Sequence, residues 1–333
     1  MRAPLLLCCL LPMLLSAQVD KDRARVEALY AKGKVHAGIK VCDKRVSAKA
    51  PDHAFQVLRA EGNNRIGEYG KALRDADAAR PHVSGDTLYA AALQMGIALA
   101  ALGFPDSAMY WYQQALGSSD DSDARLRIGS WLKVRDRCGE AITEFDRVLA
   151  RHPDRTAAWR ERGGCRAVLG DTAGARADLD RAIELGPRDP VNWNSRGYEL
   201  HARAERWQEA VRDYDRAIKF DPNYSFAFNN RGWALHRLGE TDKGIRNIEL
   251  AGRKRRSNPY VYRNLGLIAI EQGDAEKGCA YLRTALEMKF TPLHGDEVET
   301  LYQRHCEGVR PTTTPGPVPQ APRGNAPVRS NAP

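Results

Sequence analysis

Glycines return along this chain at Gly129, Gly163, Gly197, Gly232 and Gly266, in steps of 34, 34, 35 and 34 residues. A period in this range marks supersecondary units that cannot bury their apolar faces alone and stack on their neighbours. Four residues before each of the last four glycines stands a ring: Trp159, Trp193, Phe228 and Tyr262. Farther on comes a small residue, at Ala141, Ala175, Ala210, Gly244 and Gly278, and four beyond it a bulky one, at Phe145, Leu179, Tyr214, Ile248 and Leu282. Three more residues lead to Val148, Ala182, Ala217, Ala251 and Ala285, and Pro153, Pro187 and Pro222 close units. Offsets of three and four place these rows on single helix faces. Facing rows of small residues are what two antiparallel helices need at closest approach. A proline then stops the second helix, because it lacks a donor and clashes with the preceding turn. Leu169, Gly170 and Asp171, and again Leu238, Gly239 and Glu240, read as the turn within a pair.

This pattern resembles the tetratricopeptide repeat, with Trp193 to Gly197, Ala210, Tyr214, Ala217 and Pro222 as the best-matched unit. That unit has one extra residue, expected in its central turn. Arg162, Arg196 and Arg231 stand where the family usually has Leu before Gly, and Arg256 replaces a proline. The resemblance implies an all-α, right-handed superhelical solenoid of antiparallel helix pairs. Earlier units are degenerate: Gly96, Ala108, Tyr112 and Ala115 mark one, and Ala60, Gly67, Ala72 and Ala79 another. Val26, Gly33, Gly38 and Ile39 mark a divergent first pair. About eight pairs are therefore expected over 18–292. A cap helix over 293–306 would cover the last open face, with Val298, Leu301, Tyr302 and His305 at helical spacing. The Pro-rich stretch 307–333 is expected to be a disordered tail.

Residues 1–17 read as an export signal: Arg2, then the apolar run from Leu5 to Leu15, then Ser16 and Ala17 before Gln18. The run is short for a membrane span, so no span is expected after cleavage. Export places the mature chain in the periplasm, at the outer surface or in the medium, where disulfides persist. Cys42, Cys138, Cys165, Cys279 and Cys306 remain, an odd number. On antiparallel helix pairs, Cys279 at the start of one helix meets Cys306 at the end of the cap, and Cys138 meets Cys165. Cys42 is left single.

No metalloprotease, nucleophile-elbow or phosphate-loop motif occurs, and histidines are scattered, so neither enzymatic activity nor a metal or cofactor is expected. The net charge of +9 is mild for 333 residues and is no nucleic-acid signature by itself. The resemblance implies that first helices line a concave groove. The rows following each ring and glycine give Arg160, then Asn194, Tyr198 and His201, then Asn229, Trp233 and His236, then Arg263. Carboxamides can hold a peptide backbone, and aromatic rings add contact area with few rotors. The function expected is a non-enzymatic scaffold or adaptor of the cell envelope that binds a peptide or partner protein in this groove. The alternative is a carbohydrate- or anion-binding surface protein using groove aromatics and the basic run Arg253, Lys254, Arg255 and Arg256.

Overall fold

The computed structural model describes residues 5–47, 52–255, 258–288 and 296–307, with only the backbone of 5–17. Pro51, Arg256, residues 293–295 of the expected cap and the 308–333 stretch lie outside the described residues. So do residues 1–4 and the side chains of the rest of the expected export signal. Every regular element among the described residues is helical. The chain divides into two compact units, Met1–Trp131 and Leu132–Pro333.

The first unit contains α1 (Leu5–Ala31), α2 (Val35–Val46), α3 (His53–Arg65), α4 (Tyr69–Ala79), α5 (Gly85–Ala101) and α6 (Pro105–Gln114). The break between units falls inside α7 (Ser122–Val134). Its degenerate sequence still packs by the small-residue rule. Ala60, Ala72, Ala76, Met95 and Ala98 form one buried cluster, and Val26, Tyr30, Cys42 and Phe55 another. No helix among the described residues is long and apolar enough to cross a membrane.

The second unit contains α8 (Cys138–Arg151), α9 (Thr156–Val168), α10 (Thr172–Leu185), α11 (Pro190–Arg196), a π turn (Gly197–Ala202) and α12 (Trp207–Phe220). It continues with α13 (Ser225–Arg237), α14 (Thr241–Lys254), α15 (Pro259–Glu271), α16 (Ala275–Glu287) and α17 (Glu297–Cys306). Sixteen α-helices thus precede the last one among the described residues. The glycine and small-residue rows do face each other. A methyl group on Gly232 would lie 2.6 Å from the Gly244 carbonyl oxygen, and one on Gly266 would lie 3.0 Å from that of Gly278. Phe145, Leu179, Tyr214, Ile248 and Leu282 are all fully buried, as close packing between helices demands. Within each ring row, Trp159 and Trp193 donate from Nε1 to the carbonyls of Pro153 and Pro187, both at 2.8 Å, which ties each first helix to the loop before it.

The arginines that replace the family's leucine form a repeated clamp. Arg162 donates from Nε and Nη2 to Asp178 at 2.8 and 2.7 Å, and from Nη1 to Asp146. Arg196 does the same with Asp213 and Asp180, and Arg231 with Asn247 and Asp215. Arg59 repeats the arrangement in the first unit with Asp75 and Asp43. Each guanidinium in the second unit also lies over its own unit's ring, 4.7 Å from Trp159, 5.0 Å from Trp193 and 5.3 Å from Phe228. Three consecutive helices are joined at each clamp by paired, charge-assisted contacts, with a cation–π face added in the second unit.

The extra residue of the Trp193 unit is not in its central turn. Gly197 and Ala210 are 13 apart where Gly163 and Ala175 are 12 apart, and the surplus is absorbed by the π turn inside the first helix of the pair. Single π turns take up an inserted residue without ending a helix, and they re-aim every side chain around them.

Candidate functional site

α11, the π turn, α13 and α15 line a cavity of about 520 Å³, and Glu297 of α17 reaches its edge. Its floor is a row of carboxamides. Arg263 Nη1 donates to Asn264 Oδ1 at 2.6 Å, Asn264 Nδ2 to Asn229 Oδ1 at 3.2 Å, Asn229 Nδ2 to Asn230 Oδ1 at 3.3 Å, and Asn230 Nδ2 to Asn194 Oδ1 at 3.0 Å. A guanidinium can only donate, so it fixes which end of the Asn264 amide faces it, and each following amide inherits that orientation. The relay runs one way across three helices. At its far end Asn194 accepts at oxygen, which leaves its amide nitrogen as the terminal donor.

The walls are aromatic. Tyr198 is 45% exposed despite its size. Trp233 lies 5.4 Å below the Arg263 guanidinium, and Tyr224, Phe226 and Tyr260 complete the lining. Arg263 also pairs with Glu297, so the cap helix takes part in holding the relay's first donor.

One wall is charged because of the π turn. Glu199 contacts Lys133 Nζ at 2.8 Å and Arg203 Nε at 2.7 Å, and Lys133 also reaches Glu161 at 3.3 Å. Gly164 makes room for this cluster, since a methyl group there would lie 2.5 Å from Lys133 Nζ. Burial alone would raise the Glu199 carboxyl, but Lys133 and Arg203 more than offset it and hold it below the ordinary carboxylate range. Burial pulls the Lys133 ammonium down, and Glu161 and Glu199 push it above its ordinary value.

Five of the eight groove residues read from the sequence meet at this cavity: Asn194, Tyr198, Asn229, Trp233 and Arg263. Three do not line it. Arg160 turns to Asn192, donating from Nη1 at 3.1 Å. His201 is rotated away by the π turn and is buried with Nε2 3.4 Å from Asp213, while Glu199, Ala202 and Arg203 take the groove side. His236 is held by Thr241 at 3.1 Å and Glu271 at 2.8 Å. The sequence reading missed Asn230 and Asn264, although they stand one position beyond the chosen row and recur with it. Glu199 and Arg203 had no legible signal, because their placement depends on where the inserted residue is absorbed.

Of the basic run, Arg253, Lys254 and Arg255 are among the described residues. Lys254 lies over Phe228 at 4.9 Å and donates to Asn223, and Arg255 lies over Phe226 at 5.6 Å, while Arg253 is exposed. Cys279 and Cys306 are joined by a disulfide, as their placement on neighbouring helices predicts. Cys138 and Cys165 also meet, but as buried thiols whose sulfurs are 2.7 Å apart rather than at the ~2.05 Å of a bond. Cys42 is single and buried.

Tetratricopeptide repeat models match residues 128–192, 213–246 and 259–292. Repeats of this kind serve in general as protein–protein interaction scaffolds, and no catalytic family is indicated. No curated protein sequence matches the chain. Among solved structures the chain is similar to a tetratricopeptide repeat protein from Parabacteroides merdae ATCC 43184. The TM-score is 0.59 at 17% identity, over 75% of this chain and 97% of that one. It is similar to a thermophilic protein of the same repeat class in Thermus thermophilus, with TM-score 0.50 and 20% identity over 55% and 98% of the two chains. It is also similar to a chain of the APC/C hetero-tetramer Cut9-Hcn1, with TM-score 0.62 and 14% identity over 86% and 55%. Identities this low speak for the fold of paired helices alone.

Proposed function

We propose that the cavity of the second unit binds an extended peptide segment of a partner protein, and that the chain acts as an exported, non-enzymatic adaptor. The one-way carboxamide relay carries this reading. It offers a row of preoriented amides ending in a donor, matched to the carbonyl oxygens of an extended backbone, and it costs little to order because Arg263 holds it already. Tyr198 and Trp233 supply rigid aromatic surface for alternate side chains. Export is supported by the charged and apolar pattern of residues 1–17 and by the disulfide between Cys279 and Cys306, a bond that persists in oxidising compartments.

The test is a display screen of random linear peptides on the purified full chain, expressed in a bacterium with its own N-terminus and harvested from the envelope. Enriched peptides are expected to bind at micromolar strength or better. Tyr198→Ala and Asn194→Ala should each weaken them roughly tenfold, about the loss of one good contact, and Tyr198→Ala should do so with an unchanged melting temperature. Peptides bound equally by both variants would remove the groove reading. Mass analysis of the same preparation should find a chain beginning at Gln18, and a chain retaining residues 1–17 would remove the export reading.

A further inference from the structure

The array contains the same cysteine arrangement twice. Cys279 lies near the start of α16 and bonds to Cys306 at the end of α17, 27 residues on. Cys138 opens α8, and Cys165 lies in the last turn of α9, also 27 residues on. In both cases the second helix of one pair is set against the next helix of the chain, with the two sulfurs buried between them. The Cys138 and Cys165 sulfurs are 2.7 Å apart, closer than two non-bonded sulfurs rest, and no other side chain separates them. Cys42 is buried in the first unit against Val26, Tyr30 and Phe55, so it is accounted for by its own core. The odd cysteine count of the exported chain then resolves into two pairs and one core thiol.

We infer that Cys138 and Cys165 are a thiol–disulfide site, oxidised to a second intrachain bond when the chain meets a small-molecule disulfide oxidant. One cysteine, exposed as the α8–α9 contact opens, attacks as thiolate a sulfur of the oxidant and releases one oxidant thiolate, which takes a proton. The other cysteine, also as thiolate, attacks the mixed disulfide, forms the Cys138–Cys165 bond and releases the second oxidant thiol. Two protein thiols are oxidised and one oxidant disulfide is reduced to two thiols, so protons and electrons balance. The bond closes a loop through α8 and α9, and α9 carries Glu161 and Gly164, the residues that seat Lys133 against Glu199 in the groove wall. Lys133 also acts on Cys165, opposing the burial that pushes that thiol up. Oxidation thereby fixes the helix behind the charged side of the cavity. The inference does not depend on what the cavity binds.

The experiment uses the full chain purified without reductant and incubated with oxidised glutathione. It is then denatured, alkylated, digested and mapped by mass spectrometry. Two linked peptides are expected, one pairing Cys138 with Cys165 and one pairing Cys279 with Cys306, with alkylation among the cysteines after residue 17 confined to Cys42. In the Cys138→Ser variant the first linkage should be lost, and Cys165 should appear as an alkylated thiol. Wild-type protein in which Cys279 and Cys306 are linked while Cys138 and Cys165 are both alkylated, or each carries glutathione, would overturn the inference. So would a linkage of Cys165 to Cys42.

Discussion

Arg196 shows how one side chain can change the meaning of a repeat. Its guanidinium takes both oxygens of Asp213, reaches back to Asp180 and covers the Trp193 ring. Asp213 is 4% exposed, and its remaining neighbour is the largely neutral His201. Replacing Arg196 by the family's leucine therefore leaves a buried, unpaired carboxylate, and Arg196→Leu is expected to lower stability by about 3 kcal/mol in urea titrations. Adding Asp213→Asn removes the uncompensated charge and should restore about half of that loss. Full stability in the single variant would show that the clamp is ornamental. As departures from the family pattern these arginines look like weak points of their units. The signal that they are not is in the sequence: Asp43, Arg59 and Asp75 are spaced by 16, as are Asp146, Arg162 and Asp178. A charge row repeating across three helices is legible once opposite charges are searched at the inter-helix spacing as well as within a helix. The carboxamides were half legible for the same reason. Their rows recur, but which amide end faces the groove depends on Arg263, a contact between side chains that no spacing reveals.

At the scale of an element, the π turn at Gly197–Ala202 decides which residues face the groove. A helix in regular register would have put His201 beside Tyr198 and Asn194; instead it is buried near Asp213, with no partner for Nδ1. Burial lowers its pKa below the ordinary 6.5; Asp213 opposes this, and Arg206, Arg196 and Arg176 add to the lowering. The unfolded chain therefore takes up this proton first as pH falls. The neutral His201 contribution is complete above pH 6.5 and is lost as pH drops from 6.5 through the folded value. Glu199, also depressed, contributes above the unfolded carboxylate range and loses its contribution only as pH falls through its lower folded value, so the two effects separate. Wild-type stability measured by urea titration is expected to decline from pH 7.5 to pH 5.5 more steeply than that of His201→Gln. Parallel pH dependences in the two proteins would mean that the histidine is not held neutral. The length of the inserted segment was readable from the 35-residue step, but its location was not. A turn residue and a π turn lengthen the repeat equally, and only packing of Gly197 against Tyr214 and Asp213 selects the latter.

At the scale of the molecule, each compact unit is built from contacts between successive helices, and stability in such arrays is close to a sum of neighbouring interfaces. An end interface then fails without carrying the rest with it. In the second unit the end is α16 and α17, where Leu282, Ala285 and Val298 pack around the Cys279–Cys306 bond. Removing that bond by Cys279→Ala with Cys306→Ala frees the unfolded segment and should cost about 2–4 kcal/mol at this interface. Backbone amides of α16 and α17 are expected to exchange with solvent roughly thirtyfold to several hundredfold faster in native-state hydrogen exchange, while those of α9 and α10 stay at wild-type rates. Because Glu297 sits on α17 and pairs with Arg263, the loosening should also reach the first donor of the carboxamide relay. Peptide binding at the cavity would weaken before the repeats that form most of it unfold. Uniform acceleration of exchange through the whole second unit would instead show that it melts as one cooperative body, and the nearest-neighbour account of its stability would fail.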